Sequence, residues 1–396
     1  MRLMVMLCVV MMSIGVLGVS AQNDDPTFEY SVIDDQFRHA QMIQTVDIDV
    51  DGDEDVILAS SLNDTIYLYL NDGSGESWER VNVAPENSIV AMQTTVADFD
   101  MDGDLDIASV GLFDRVACVF CSAGVVHWYE NMGDNTEWTT HVIDGELWGA
   151  FFIDTYDYLD DGVPDLIVST IALDSSNGGA FLYHNTGDGW EDARNIDEAG
   201  IETSEKVFAY DVDGDQNDDI VVVNTDRNEL NWYQYDDSSD NFEGYLIATI
   251  NRPRDAEFIN LDDDDAEELI VTSDDGIWLF DMPDDPTQAW VGTLIDGEFS
   301  VGYGGNGRIV MTDLNGDDLP DIAVALNNLD IGYSGVYWYR NDGAGIWTAV
   351  DISNDYYGVT DIISADLNGD ERTDLLTSTY NNTDSNDQIG WWANLP

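Results

Sequence analysis

Positive charge is scarce in this sequence: 12 Lys and Arg, only one of them a lysine, stand against 81 Asp and Glu, for a formal net charge of −69. A surface that acidic repels phosphate backbones and anionic headgroups, so it disfavours nucleic acid and anionic membranes as partners, and no nucleic-acid partner is expected. It suits a saline or calcium-rich setting in which screening relieves self-repulsion, and simple solubility accounts for it equally well. Cysteine is also rare, with three residues, Cys8, Cys118 and Cys121. The pair Cys118 and Cys121 stands as Cys-Val-Phe-Cys with no βαβ context and no second pair, which argues against a redox or metal role. In an exported chain it is expected to form a local disulfide. Long apolar runs are missing beyond the N-terminus, so no membrane span is expected, since a spanning helix needs about 20 residues. No nucleophile elbow, Walker loop or His-Glu-x-x-His occurs, and no catalytic residue is assigned.

The N-terminus has the three parts of a secretory signal peptide. Arg2 supplies positive charge, Leu3 to Leu17 the apolar core, and Val19-Ser20-Ala21 the small residues before a cleavage site. Residues 1–21 are therefore expected to be removed and 22–396 exported as one domain. Cys8 lies deep in the apolar core without a lipobox-like context.

What the chain has in abundance is one nine-residue phrase, fullest at Asp98 to Asp106 as Asp-Phe-Asp-Met-Asp-Gly-Asp-Leu-Asp. Carboxylates crowded at positions 1, 3, 5 and 9 repel one another, and a tight turn of this composition needs a cation inside it. Hard oxygen ligands point to Ca2+. A glycine at position 6 allows the positive φ that curls the backbone around an ion. An EF-hand would need a bidentate Glu at position 12 and a following helix, whereas here an apolar strand follows at once.

The phrase comes seven times, starting at Asp47, Asp98, Asp157, Asp211, Asn260, Asp313 and Asp366, in steps of 51, 59, 54, 49, 53 and 53 residues. A period that steady means one repeated supersecondary unit. The expected ligands are Asp47, Asp49, Asp51 and Asp55; Asp98, Asp100, Asp102 and Asp106; and Asp211, Asp213, Asp215 and Asp219. Amide oxygens replace carboxylates in Asp313, Asn315, Asp317 and Asp321 and in Asp366, Asn368, Asp370 and Asp374. The fifth copy, Asn260, Asp262, Asp264 and Glu268, lacks glycine. The third keeps Asp157, Asp161 and Asp165 but has Leu159 at position 3, so this site is expected to be the weakest of five to seven.

Each repeat carries four apolar segments: one before the acidic loop, a β-branched run after it, an aromatic strand such as Trp128-Tyr129-Glu130-Asn131, and a segment opening on an aromatic residue such as Trp138 to Ile143. Four short strands joined by Gly, Asn and Asp turns make one propeller blade. The last repeat ends at Trp391-Trp392-Ala393-Asn394 without its fourth segment, and Phe28 to Ile33 at the other end matches that missing piece. The predicted fold is all-β, a seven-bladed propeller of four-stranded antiparallel blades whose N-terminal strand completes the last blade and leaves no open sheet end.

The acidic loop, the apolar strand behind it and the Trp-Tyr-Glu-Asn-like strand resemble FG-GAP and VCBS repeats, the calcium-bearing blades of integrin α-subunit propellers and of bacterial secreted proteins. The chain is also similar to integrin-like lectins. This resemblance implies a calcium-binding adhesion or carbohydrate-binding module; it also admits a polysaccharide-acting lyase or dehydratase, or a protein-interaction platform. The departures are Leu159 in the third loop and the missing glycine in the fifth.

If the acidic loops define one face, the longer connections define the opposite one, where binding usually resides. Of the 11 bases after residue 21, Arg38, Arg115, Lys206, Arg227, Arg252, Arg254 and Arg308 fall in those opposite-face segments, and Arg80, Arg194, Arg340 and Arg372 do not. A glycan or protein ligand is expected there, held by Arg38, His39, Trp148, Arg254, Tyr303, Arg308, Tyr356 and Tyr357 through hydrogen bonds and stacking. The plainer alternative is that these arginines pair with nearby acids.

Overall fold

In the computed structural model, the second strand of every blade shows why the chain folds as it does. Runs such as Asp55–Ser60, Asp165–Thr170 and Asp374–Thr379 are buried along their whole length. A strand apolar on both faces must be covered on both faces, and only neighbouring blades can do that. The outer strands are largely exposed, as at Trp78–Asn82 and Val291–Asp296. Burial therefore peaks at the second strand, is partial in the inner strands that line the axis, and is least at the rim.

The structure describes residues 25–85, 90–112, 124–171, 178–196, 204–236, 239, 241–261, 267–301, 306–328, 333–353, 356, 358–380 and 387–395. Cys118, Cys121, Arg115, Asp262, Asp264, Tyr303, Tyr357 and the predicted signal peptide lie outside them. The described strands form seven four-stranded antiparallel sheets, and no helix occurs among the described residues. Blades one to six span residues 40–82, 90–144, 150–195, 204–249, 253–296 and 306–353. Blade seven combines residues 359–395 with the N-terminal strand Thr27–Asp34.

The ring closes as the sequence implies. Thr27 pairs with Leu395 and Val32 with Gly390, so the first strand of the chain is the outer strand of the last blade. Tyr30 reaches inward to share a 2.7 Å hydroxyl contact with Tyr356, and Phe28 packs edge-on against Trp338 of blade six at 6.4 Å. Inner strands of successive blades pack against each other all the way round, blade seven against blade one included.

Blade three departs from its expected form. In place of an outer strand over Trp190 to Ile196, only Arg194–Asn195 pairs with the third strand. Trp190 turns back to bridge Asn185 and sets its ring 5.8 Å from Phe99 of blade two, which diverts the chain from the sheet edge.

Candidate functional site

The acidic loops all join the first and second strands of a blade, so they gather on one face. Position 1 organises each turn: in six loops its carboxylate accepts N–H groups from positions 5 and 6 at 2.8–3.3 Å. Position 2 is a buried apolar anchor, as at Ile48, Phe99, Val212, Leu314 and Leu367. Position 9 joins strands. In all seven loops one of its oxygens accepts the N–H of position 2. In loops one, two, three, six and seven the other oxygen accepts the N–H of an Asn at or near the end of the third strand. That same Asn reaches the preceding blade: Asn71, Asn185 and Asn394 donate to the position-2 carbonyls of Leu367, Phe99 and Leu314 at 2.8–2.9 Å.

The backbone corrects one expectation about glycine. Two positions in each fully described loop adopt positive φ, not one: position 4 and position 6. Loops one to three place glycine at position 6 (Gly52, Gly103, Gly162) and force Val50, Met101 and Asp160 into the left-handed region at φ 59, 62 and 50. Loops four, six and seven place it at position 4 (Gly214, Gly316, Gly369), with Gln216, Asp318 and Glu371 left-handed at position 6. Glycine relieves either of two equivalent strains, which is why its place shifts between repeats.

Three loops bring carboxylates close enough to share one ion. The oxygens of Asp47, Asp49 and Asp55, of Asp98, Asp100 and Asp106, and of Asp211, Asp213 and Asp219 lie within 4.8 Å of one another. Asp51, Asp102 and Asp215, at position 5, instead turn an oxygen onto the N–H two residues ahead. Burial pushes the ninth residues far above the usual carboxylate range, Asp55 to about 7, Asp106 to about 6 and Asp219 to about 8, with the Asp213 charge adding to burial at Asp219. Asp321 and Asp374 are likewise driven by burial to about 6 and about 7. A hard divalent cation suits such a donor set: it neutralises oxygens that are crowded and partly desolvated. In loop three, Leu159 is 42% exposed where an acid would face the ion, and Asp165 takes His184 as its partner at 2.9 Å. In loop five Asn260 lies next to Leu261, whose N–H Glu268 accepts.

On the opposite face, the predicted ligand residues that are described are not gathered into one mouth. Arg254 is 2% exposed, and Glu205 and Asp274 hold its guanidinium at 2.6 and 3.2 Å. Arg252, Arg227 and Lys206 pair with Asp226, Glu229 and Asp255, so the plainer pairing alternative describes these bases. Arg38 hydrogen-bonds Asn63 through its backbone, and His39 stacks on Tyr380 at 3.6 Å while contacting Ser61. Tyr356 is buried against Tyr30, and Trp148 is 45% exposed on the connection between blades two and three. Arg308, 6% exposed, points toward the ring axis and not the rim.

The FG-GAP-like repeat family model matches residues 47–109 and 313–377. No curated protein matches the sequence. Among solved structures, BBS1N in complex with ARL6DN is similar at 13% identity and a TM-score of 0.55, covering 94% of this chain and 98% of that one. The NanB sialidase of Streptococcus pneumoniae aligns at 11% identity and a TM-score of 0.49, covering 92% of this chain and 70% of that one. At such identities the likeness concerns fold alone. The two matched stretches run from blade one into two and from blade six into seven of a single closed ring, so the chain is a seven-bladed β-propeller that carries FG-GAP-like repeats in those two stretches.

Proposed function

We propose that this propeller works outside the cell as a calcium-stabilised binding module, with carbohydrate as its ligand class. The observation that carries the metal half is the set of three aspartate triads, each within 4.8 Å, repeated on one face. Bound there, calcium supplies positive charge to oxygens that the loop backbone has already turned inward. The protein's own part is to hold those oxygens, through the N–H groups on position 1 and the strand-joining bonds on position 9. The ligand half is supported by Trp148, an exposed indole on the face opposite the loops and a ready stacking surface for a sugar ring. Export is supported by the N-terminal leader pattern.

Calcium titration calorimetry on chelator-stripped protein, followed by a glycan array with and without chelator, tests both halves. The expected result is saturable calcium uptake at several sites and glycan binding lost in Trp148→Ala. Absence of calcium uptake removes the first half, and glycan binding unchanged in Trp148→Ala removes the second.

A further inference from the structure

The seven inner strands enclose a cavity of about 470 Å3 on the ring axis. Its lining is divided by chemistry. Met42 and Phe152 contribute apolar surface from blades one and three, while Lys206, Asp255, Arg308 and Asp361 contribute charge from blades four to seven. Lys206, the only lysine in the chain, is answered by Asp255 at 2.7 Å.

Arg308 has no contact of that kind, although its charge is felt at Asp361 and Glu205. Its guanidinium makes no hydrogen bond or ion pair with the described residues, and its Nε is buried without a partner. What it does contact is the Phe152 ring, 4.7 Å below the guanidinium carbon. The nearby acids are engaged elsewhere: Asp255 by Lys206 and the N–H of Ile309, Asp361 by the N–H of Ile43, and Glu205 by Arg254. A buried cation with five donors in a fixed fork is costly unless a planar oxyanion meets it.

Several acceptors in the rest of the cavity lack a side-chain donor. Asp154 and Asp361 accept only backbone N–H groups among the described residues, and the Gln44 Oε1 is buried with no donor at all. Glu257 is likewise backed by a backbone N–H, that of Met311, with Lys206 as its charged neighbour. A ligand that satisfied both needs would carry one carboxylate for Arg308 and several hydroxyl groups for these acceptors.

We propose that the axial cavity is a binding site for a small hydroxycarboxylic acid of the sugar-acid kind, with Arg308 gripping the carboxylate and the axial carboxyls and Gln44 receiving the hydroxyls. This site shares no residue with the acidic loops or with Trp148, so it stands or falls separately from the rim binding proposed above.

The test is titration calorimetry on the calcium-saturated full chain with galacturonate and glucuronate, against galactose and glucose as neutral controls of the same shape. One or both acids should bind and their neutral parents should not. Arg308→Gln should lower the affinity at least tenfold while calcium uptake stays at the wild-type level. Met42→Trp, which fills the cavity from another blade, should abolish binding and covers the case in which Arg308→Gln fails to fold. Binding of neither acid, equal binding of the neutral sugars, or binding undiminished in either folded variant overturns the proposal.

Discussion

Val50 sits at φ 59 with 79% of its surface exposed, a β-branched residue held left-handed by a loop that gains nothing from its side chain. The left-handed region costs a side-chain-bearing residue roughly 1–2 kcal/mol, and glycine returns about 0.5–1 kcal/mol of that as unfolded-state entropy. Val50→Gly should therefore stabilise the folded protein by about 0.5–1 kcal/mol, read from urea denaturation in excess calcium; a destabilised variant would show that the strain is not felt. Asp106 makes the opposite case. Its two oxygens hold the buried N–H groups of Phe99 and Asn131 at 3.1 and 2.8 Å. Asp106→Ala orphans both donors, at roughly 1–3 kcal/mol each. The loss should persist in saturating calcium, and Asp106→Asn, which keeps one acceptor, should lose less. A loss under about 1 kcal/mol in the alanine variant would mean that the metal alone secures the loop.

The strand that closes the ring is the element whose removal is most informative. Thr27–Asp34 covers the edge of Ile389–Leu395, which is otherwise a row of free backbone donors and acceptors. A chain beginning at residue 35 should expose that edge and self-associate, visible as higher-order species in size-exclusion chromatography. A monomeric product with an unchanged melting temperature would show that blade seven is complete with three strands. Blade three already has a reduced outer strand, Arg194–Asn195, with Trp190 packed on Phe99 in compensation. Among the described residues nothing similar stands beside blade seven, where Tyr30 and Phe28 are themselves the packing residues.

Across the whole molecule the dominant fact is acidic crowding, on the loop face and along the axis. Asp154, Glu257 and Asp361 are pushed up to about 6, about 7 and about 7, with burial as the largest cause in each, while Lys206 moderates the first two and Arg308 the third. A carboxyl whose folded pKa lies above its unfolded value of about 4 binds its proton more tightly in the native state. Stability from such groups is fully present below about pH 4 and is lost as pH rises through their folded values. The chelator-treated protein should therefore melt progressively lower between pH 5 and pH 8 in scanning calorimetry. Calcium should restore most of what the ninth residues of the loops contribute to that fall and little of the axial part. A melting temperature that is flat or rises over this range contradicts the burial of these groups. At fixed pH, added salt should also raise the melting temperature, because a net charge of −69 repels itself.

The repeat, the blade count and the closing strand were legible in the sequence because each depends on local order: acids at fixed spacing, apolar runs at fixed distance, and a missing segment at one end matched at the other. Which residues of a loop could face an ion was also largely local, since the nine residues turn on their own hydrogen bonds. The second left-handed position was not visible, because Val50 and Met101 give no chemical sign of their φ. The fate of the arginines belonged wholly to the tertiary structure. Arg254 meets Glu205 of blade four, 49 residues away, and Arg308 meets Phe152 of blade three, 156 residues away. Closing the ring set those side chains against one another, and no spacing along a single strand encodes a neighbour that only closure supplies.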